Sequence, residues 1–255
     1  MQAELQAPVA LLYSFLLVVA RIGGAFIFVP LPGIKSVPDP ARVVLVMAIS
    51  IALFPVWPHL AHDPSILEYA GLLVVEAGFG LCIGLLAGFL SDAALLFGQI
   101  VGLHAGYSFA STVDPDTQAD SPVMSSIAQA LSGLLFVTMG LHLYVIRLFA
   151  RSLETQPPGQ LVLNARWSEA IIHAGGTLFS VGFRLSLPVL ALLLMVDVTL
   201  SLLGRIHVNL QIMQFATPLK CLAALALVGV LLRVFMTVYS EYATHLFGIA
   251  AGLIR

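Results

Sequence analysis

The chain has 255 residues, of which 60% are hydrophobic and only 9% charged, where a water-soluble domain carries roughly 25% charged residues. Its mean hydropathy of +1.02 excludes the ordinary soluble classes, because so few charges cannot cover a surface of this size, and hydrocarbon is the solvent that suits the composition. A net charge of −2 without any basic run excludes a nucleic-acid partner.

Apolar runs near 9–29, 43–61, 70–90, 93–110, 127–149, 171–203 and 217–240 are each of a length to span hydrocarbon as a helix. Lipid admits only helices or closed barrels, and these runs lack the alternation of barrel strands, so the predicted fold is all-α and polytopic. The first run is expected to be a retained span. Glu4 stands where a signal peptide needs basic residues, and Arg21 interrupts the apolar stretch. Only Ser91 and Asp92 separate the third and fourth runs, which fit either a hairpin or one long broken helix. The sixth is too long for one straight span, and Pro188 in its middle predicts a kink. Lys35, Arg42, Arg151 and Arg166 fall in two loops that seven spans would place in the cytoplasm, with the N-terminus outside and Arg255 inside. Arg205 and Lys220 run against that count.

Five charges, Arg21, Glu76, Asp92, Arg184 and Asp197, lie within or between apolar runs and are expected to be buried. Each is expensive at a helix centre unless paired or wet. Arg184 and Asp197 are separated by about 20 Å along one helix, so their partners must come from elsewhere. They fit either a polar pathway or structural pairing between helices. Gly80, Gly84 and Gly88 recur every fourth residue with Glu76 and Asp92 in step, and Gly98, Gly102 and Gly106 repeat the spacing. Such stripes let a second backbone approach closely. From Gly106 onward, small residues, Thr112, Val113 and Pro115 predict the end of a helix and an irregular segment. That segment fits an ordinary turn or a pore-lining loop in which Tyr107 and Phe109 occlude the opening.

Little here supports catalysis, a cofactor or a metal. Asp114, Asp116 and Asp120 echo a calcium loop, but Ala119 and Ser125 stand where its glycine and bidentate glutamate belong. His59 and His62 have no third ligand in view. Gly106-Tyr107-Ser108-Phe109-Ala110 is a serine elbow without its second glycine. Cys82 and Cys221 each sit in apolar sequence as expected free thiols. The chain is expected to be non-enzymatic. A self-contained secondary transporter with a midplane site at Arg184, Pro188 and Asp197 is the alternative of another class.

Gly98-Gln99-Ile100-Val101-Gly102, followed by Gly106 to Ala110 and Val113-Asp114-Pro115, resembles the FliR/SctT family of the type III export apparatus. Other pieces agree in order over nearly the whole chain: Ala20-Arg21-Ile22 before Pro30, Val37-Pro38 and Arg42, Gly140-Leu141-His142, Pro157-Pro158-Gly159, Leu187-Pro188, and Pro218-Leu219-Lys220. The stretch from Gln118 to Val123 favours the flagellar branch, while His207-Val208 stands near where the family often has proline. The resemblance implies a single export-gate domain over residues 1–255, at the bacterial inner membrane in the flagellar basal body. Its helices would wind with those of FliP and FliQ homologues into a channel for unfolded flagellar proteins, with FlhB and FlhA as further partners. It also implies a channel plug over 106–122, carried by Gly106, Tyr107, Ser108, Phe109, Ala110, Val113, Asp114 and Pro115. Gly80, Gly84, Gly88, Gly98 and Gly102 would be packing glycines.

Overall fold

The computed structural model describes residues 2–30, 39–57, 65–107, 123–159, 165–206 and 212–254. Among these residues the fold is all-α, with no strand. The helices are α1 (Gln2–Phe26), α2 (Asp39–Ala52), α3 (Ile66–Ala105), α4 (Val123–Thr138), α5 (Leu141–Thr155), α6 (Ala165–Ile206), α7 (Ile212–Val230) and α8 (Leu232–Leu253), with a 3-10 turn at Phe54–Val56.

Several apolar runs resolve differently from their hydropathy. The third and fourth form one continuous helix of 40 residues, α3. Ser91 and Asp92 do not break it, because neither residue forbids helical backbone and Asp92 lies on an exposed face. The fifth run, expected as one span, is bent by 60° between α4 and α5. The cause is Gly140, whose φ of 70° only glycine adopts freely and which leaves the helical conformation. The seventh likewise divides into α7 and α8 at a bend of 58°. By contrast α6 continues as one helix through Pro188. Among the described residues two helices, α3 and α6, are long and apolar enough to cross a membrane, or up to four spans if each bent pair counts as one. Seven full spans, and the orientation counted from them, do not emerge from these lengths.

The chain forms two compact units, each discontinuous in sequence. The first comprises residues 1–89, 136–175 and 243–255. Its core is α1 against the N-terminal half of α3, with Leu17, Val18, Ile22, Phe79 and Ile83 fully buried. Here the end of α5 also caps the end of α8: Thr155 Oγ1 donates to the Ile254 carbonyl at 3.3 Å and Gln156 Nε2 to that of Leu253 at 3.4 Å. These bonds satisfy carbonyls that a helix C-terminus leaves without partners. The second unit comprises residues 90–135 and 176–242. Phe97 packs on Phe235 with ring centroids 5.5 Å apart. Ser91, Ser132 and Tyr239 form a buried polar cluster there, the Tyr239 hydroxyl donating to the Ser132 carbonyl at 3.0 Å.

Candidate functional site

In the first unit the glycine stripe of α3 receives the backbone of α1. A Cβ added at Gly80 would fall on the Arg21 carbonyl, and one at Gly84 on the carbonyl of Ala25. Gly88 meets Phe28, whose carbonyl oxygen would lie 3.1 Å from an added Cβ. Gly24 answers from α1, where a Cβ would strike the Ala77 carbonyl. With both backbones this close, Arg21 and Glu76 are forced into the same dry layer. Arg21 Nε donates to Glu76 Oε2 at 2.5 Å, and both side chains are fully buried. Nη1 donates to Ser152 Oγ at 3.2 Å and Nη2 to the Gln156 carbonyl at 3.1 Å, which ties α1 to the last turn of α5. The guanidinium also lies 4.8 Å from the Phe79 ring centroid, an arrangement that offsets part of the desolvation of a buried cation. Each nitrogen of the Arg21 guanidinium thus has an acceptor.

The second unit holds the helix ends on either side of residues 108–122. α3 ends at Ala105 in a Schellman motif: Tyr107 N–H bonds the Gly102 carbonyl at 3.0 Å and Gly106 N–H that of Leu103 at 3.3 Å. Gly106 takes φ of +87°, as the motif demands. Gly98 abuts the first turn of α4, its added Cβ lying 2.7 Å from Ser125 Cα. Gly102 is buried one turn further along. The helices on either side of the 108–122 segment therefore pack on each other at Gly98. Tyr107 is held just beyond the end of α3, its hydroxyl donating to the Cys221 carbonyl at 2.7 Å. Partial burial pushes the Tyr107 phenol above its ordinary range, so it remains a neutral donor. Ser108, Phe109, Ala110, Val113, Asp114 and Pro115 lie outside the described residues, as do His59, His62 and the calcium-like aspartates.

The five membrane charges divide. Arg21 and Glu76 are buried. Asp197 pairs with Lys220, its carboxylate 40% exposed. Asp92 and Arg184, expected to be buried, are exposed on this chain, since both project from helix faces that the chain's own packing leaves uncovered. Arg184 and Pro188 line a cavity of about 160 Å³ with Phe97, Leu131 and Phe235. Cys82 and Cys221 are both free. Among the described residues no group of three or more His, Cys, Asp or Glu could hold a metal ion.

Residues 12–246 match the family described as bacterial export proteins, family 1. The chain belongs to that family. The flagellar biosynthetic protein FliR of Escherichia coli (strain K12) is 31% identical over 227 residues, which cover 88% of this chain and 86% of its own length. FliR of Bacillus subtilis (strain 168) is 27% identical over 248 residues, 95% of this chain and 93% of that protein. FliR of Caulobacter vibrioides is 24% identical over 231 residues, with 90% and 92% covered. The likeness runs through both compact units, so it reaches the Arg21 layer and the Gly106 turn alike.

Two features of this export-family fold escaped the sequence reading. One is the pairing of Arg21 with Glu76. Glu76 stands one turn before Gly80 on the same stripe, which is the signal that would have placed it facing α1. The other is the Ser91–Ser132–Tyr239 cluster, for which serines scattered through apolar sequence give no signal.

Proposed function

We propose that this chain is a non-catalytic subunit of the flagellar type III export gate at the bacterial inner membrane. It would assemble with FliP and FliQ homologues, beside those of FlhB and FlhA, into the channel that passes unfolded flagellar proteins. The family and the flagellar names of its relatives support the process. The observation that supports an assembly is the surface of α6. Bulky apolar side chains are exposed along it from Ile172 through Phe179, Leu187 and Met195 to Leu203, and only 11% of its most apolar stretch is buried. That span is about 46 Å at 1.5 Å per residue. A hydrocarbon core of about 30 Å would cover it only at a tilt of about 50°, beyond the 0–40° that membrane helices adopt. Part of α6 therefore calls for protein, not lipid, as its neighbour.

Within that gate we assign the 106–122 segment as a plug. Its support is the root at the end of α3, where Gly106 closes the helix and Tyr107 is pinned to α7. The transporter alternative is the weaker reading, because Asp197 is already engaged by Lys220. Co-expression of the tagged chain with FliP and FliQ homologues of the same organism, followed by native mass spectrometry, tests the assembly. A defined heteromeric complex is expected, and recovery of a well-folded chain alone would refute it. In that complex, Tyr107→Ala with Phe109→Ala should raise ion leak in reconstituted bilayers, whereas Ser108→Ala should leave both assembly and leak unchanged. Equal conductance of the double variant and wild type would remove the plug assignment.

A further inference from the structure

We propose that Arg184 is the docking point for a carboxylate carried by a helix of a neighbouring subunit. A bulky apolar side chain of the same helix would fill the cavity beside it. The proposal rests on the reading of the chain as one member of an assembly, and it names the chemistry the neighbour must present.

Arg184 lies in the middle of α6, exposed, between the exposed rings and branched chains of Phe183 and Leu187. It makes no hydrogen bond or ion pair among the described residues. The nearest acid on its own helix toward the C-terminus, Asp197, belongs to Lys220. A cation inside an apolar surface is costly unless paired. The same turn has a second polar demand. Pro188, one turn on, has no N–H to give the Arg184 carbonyl four residues back. Beside the guanidinium is the cavity of about 160 Å³, lined chiefly by Phe97, Leu131, Leu185, Val228 and Phe235. An apolar cavity of about 150 Å³ admits a benzene-sized group, which is the size of one large side chain.

A lipid phosphate fits less well. The exposed apolar surface continues for 12 residues on one side of Arg184 and 19 on the other, to Ile172 and Leu203. Those distances are about 18 Å and 28 Å along the axis. With a hydrocarbon band of about 30 Å centred on that surface, Arg184 sits about 10 Å inside it, and its charge meets a headgroup only by snorkelling away from the cavity. A protein carboxylate delivered at the same depth meets it beside the cavity.

The test uses the co-expressed complex and its purified wild type, Arg184→Leu and Arg184→Lys forms. Arg184→Leu should lower recovery of the partner subunits by about tenfold, roughly the loss of one charge-assisted contact, while Arg184→Lys should retain most of it. An apolar carbodiimide, which joins an amine to a carboxylate in ion-pair contact, should then link position 184 of Arg184→Lys to an Asp or Glu of another subunit. Peptide mapping identifies that residue. A link to an acid of this same chain would overturn the proposal, as would no link at position 184 or a phospholipid retained by wild type and lost from Arg184→Leu. Undiminished recovery with Arg184→Leu would sink the docking point alone. A wild-type chain that recovers no partner would sink the assembly as well.

Discussion

Arg21 and Glu76 show how two residues that the bilayer penalises separately become a structural joint together. Their ion pair is fully buried, and burial of that kind gains little over a well-packed apolar pair. Breaking it is another matter. Arg21→Met would strand the Glu76 carboxylate and take the donors from Ser152 and the Gln156 carbonyl, at a cost of about 3–5 kcal/mol. Removing both charges with Arg21→Met and Glu76→Leu leaves no ion unpaired. The double variant is therefore expected to melt above Arg21→Met alone in lipid nanodiscs. A double variant that loses the sum of the two single losses would mean that the residues act independently. Glu76 Oε1 has no partner among the described residues, so the pair is satisfied more completely from the arginine side than from the glutamate side.

At the scale of elements, close approach is decided by which glycines face a backbone. Gly80 and Gly71 occupy the same helix, yet an added Cβ meets the Arg21 carbonyl at Gly80 and open space at Gly71. Alanine gains about 1 kcal/mol of helix propensity over glycine at either position. At Gly80 that gain is set against overpacking on a main-chain oxygen that cannot rotate away, typically about 1–3 kcal/mol. Gly80→Ala is thus expected to lower the melting temperature and Gly71→Ala to hold or raise it. Equal shifts for the two would show that α1 does not sit where the stripe places it. The spacing of the stripe was legible in the sequence, as was the helix end at Gly106, because both depend on residue type at fixed offsets. That α1 fills the stripe was not legible, since a row of small residues names no partner. Hydropathy also missed the bends. Around Leu231 the chain reads Val228-Gly229-Val230-Leu231-Leu232, where a lone glycine in an apolar run is a weak signal, and at Gly140 the apolar run continues on both sides. It suggested a break at Ser91-Asp92, where the helix needs only a face on which those side chains are tolerated.

For the whole molecule, the decisive quantity is apolar surface that the chain cannot cover by itself. α3 is 44% buried in its most apolar stretch and α6 only 11%, although both are of similar length and hydropathy. A soluble fold would turn α6 inward, but here the described residues leave most of it uncovered. Lipid or detergent covers a band of about 30 Å, and the exposed apolar length of α6 is about 46 Å. The remainder, roughly a third, faces water whenever partner subunits are missing. Purified alone in a mild detergent, the chain is therefore expected to elute as heterogeneous oligomers and to melt without a cooperative transition. Added partners should convert it to one defined species, because ligand-like binding to the folded form shifts the equilibrium by mass action. Size-exclusion chromatography with light scattering, before and after co-expression, makes the comparison. A monodisperse monomer with a sharp melt would mean that detergent alone satisfies α6, and the length argument for a protein neighbour would fall with it. If the chain alone is heterogeneous, substituting three of those exposed side chains offers a finer check. Phe179→Ser with Leu194→Ser and Met195→Ser, all exposed, should sharpen the isolated chain's elution while weakening its recovery with partners, since the same surface would be made less sticky and less able to bind.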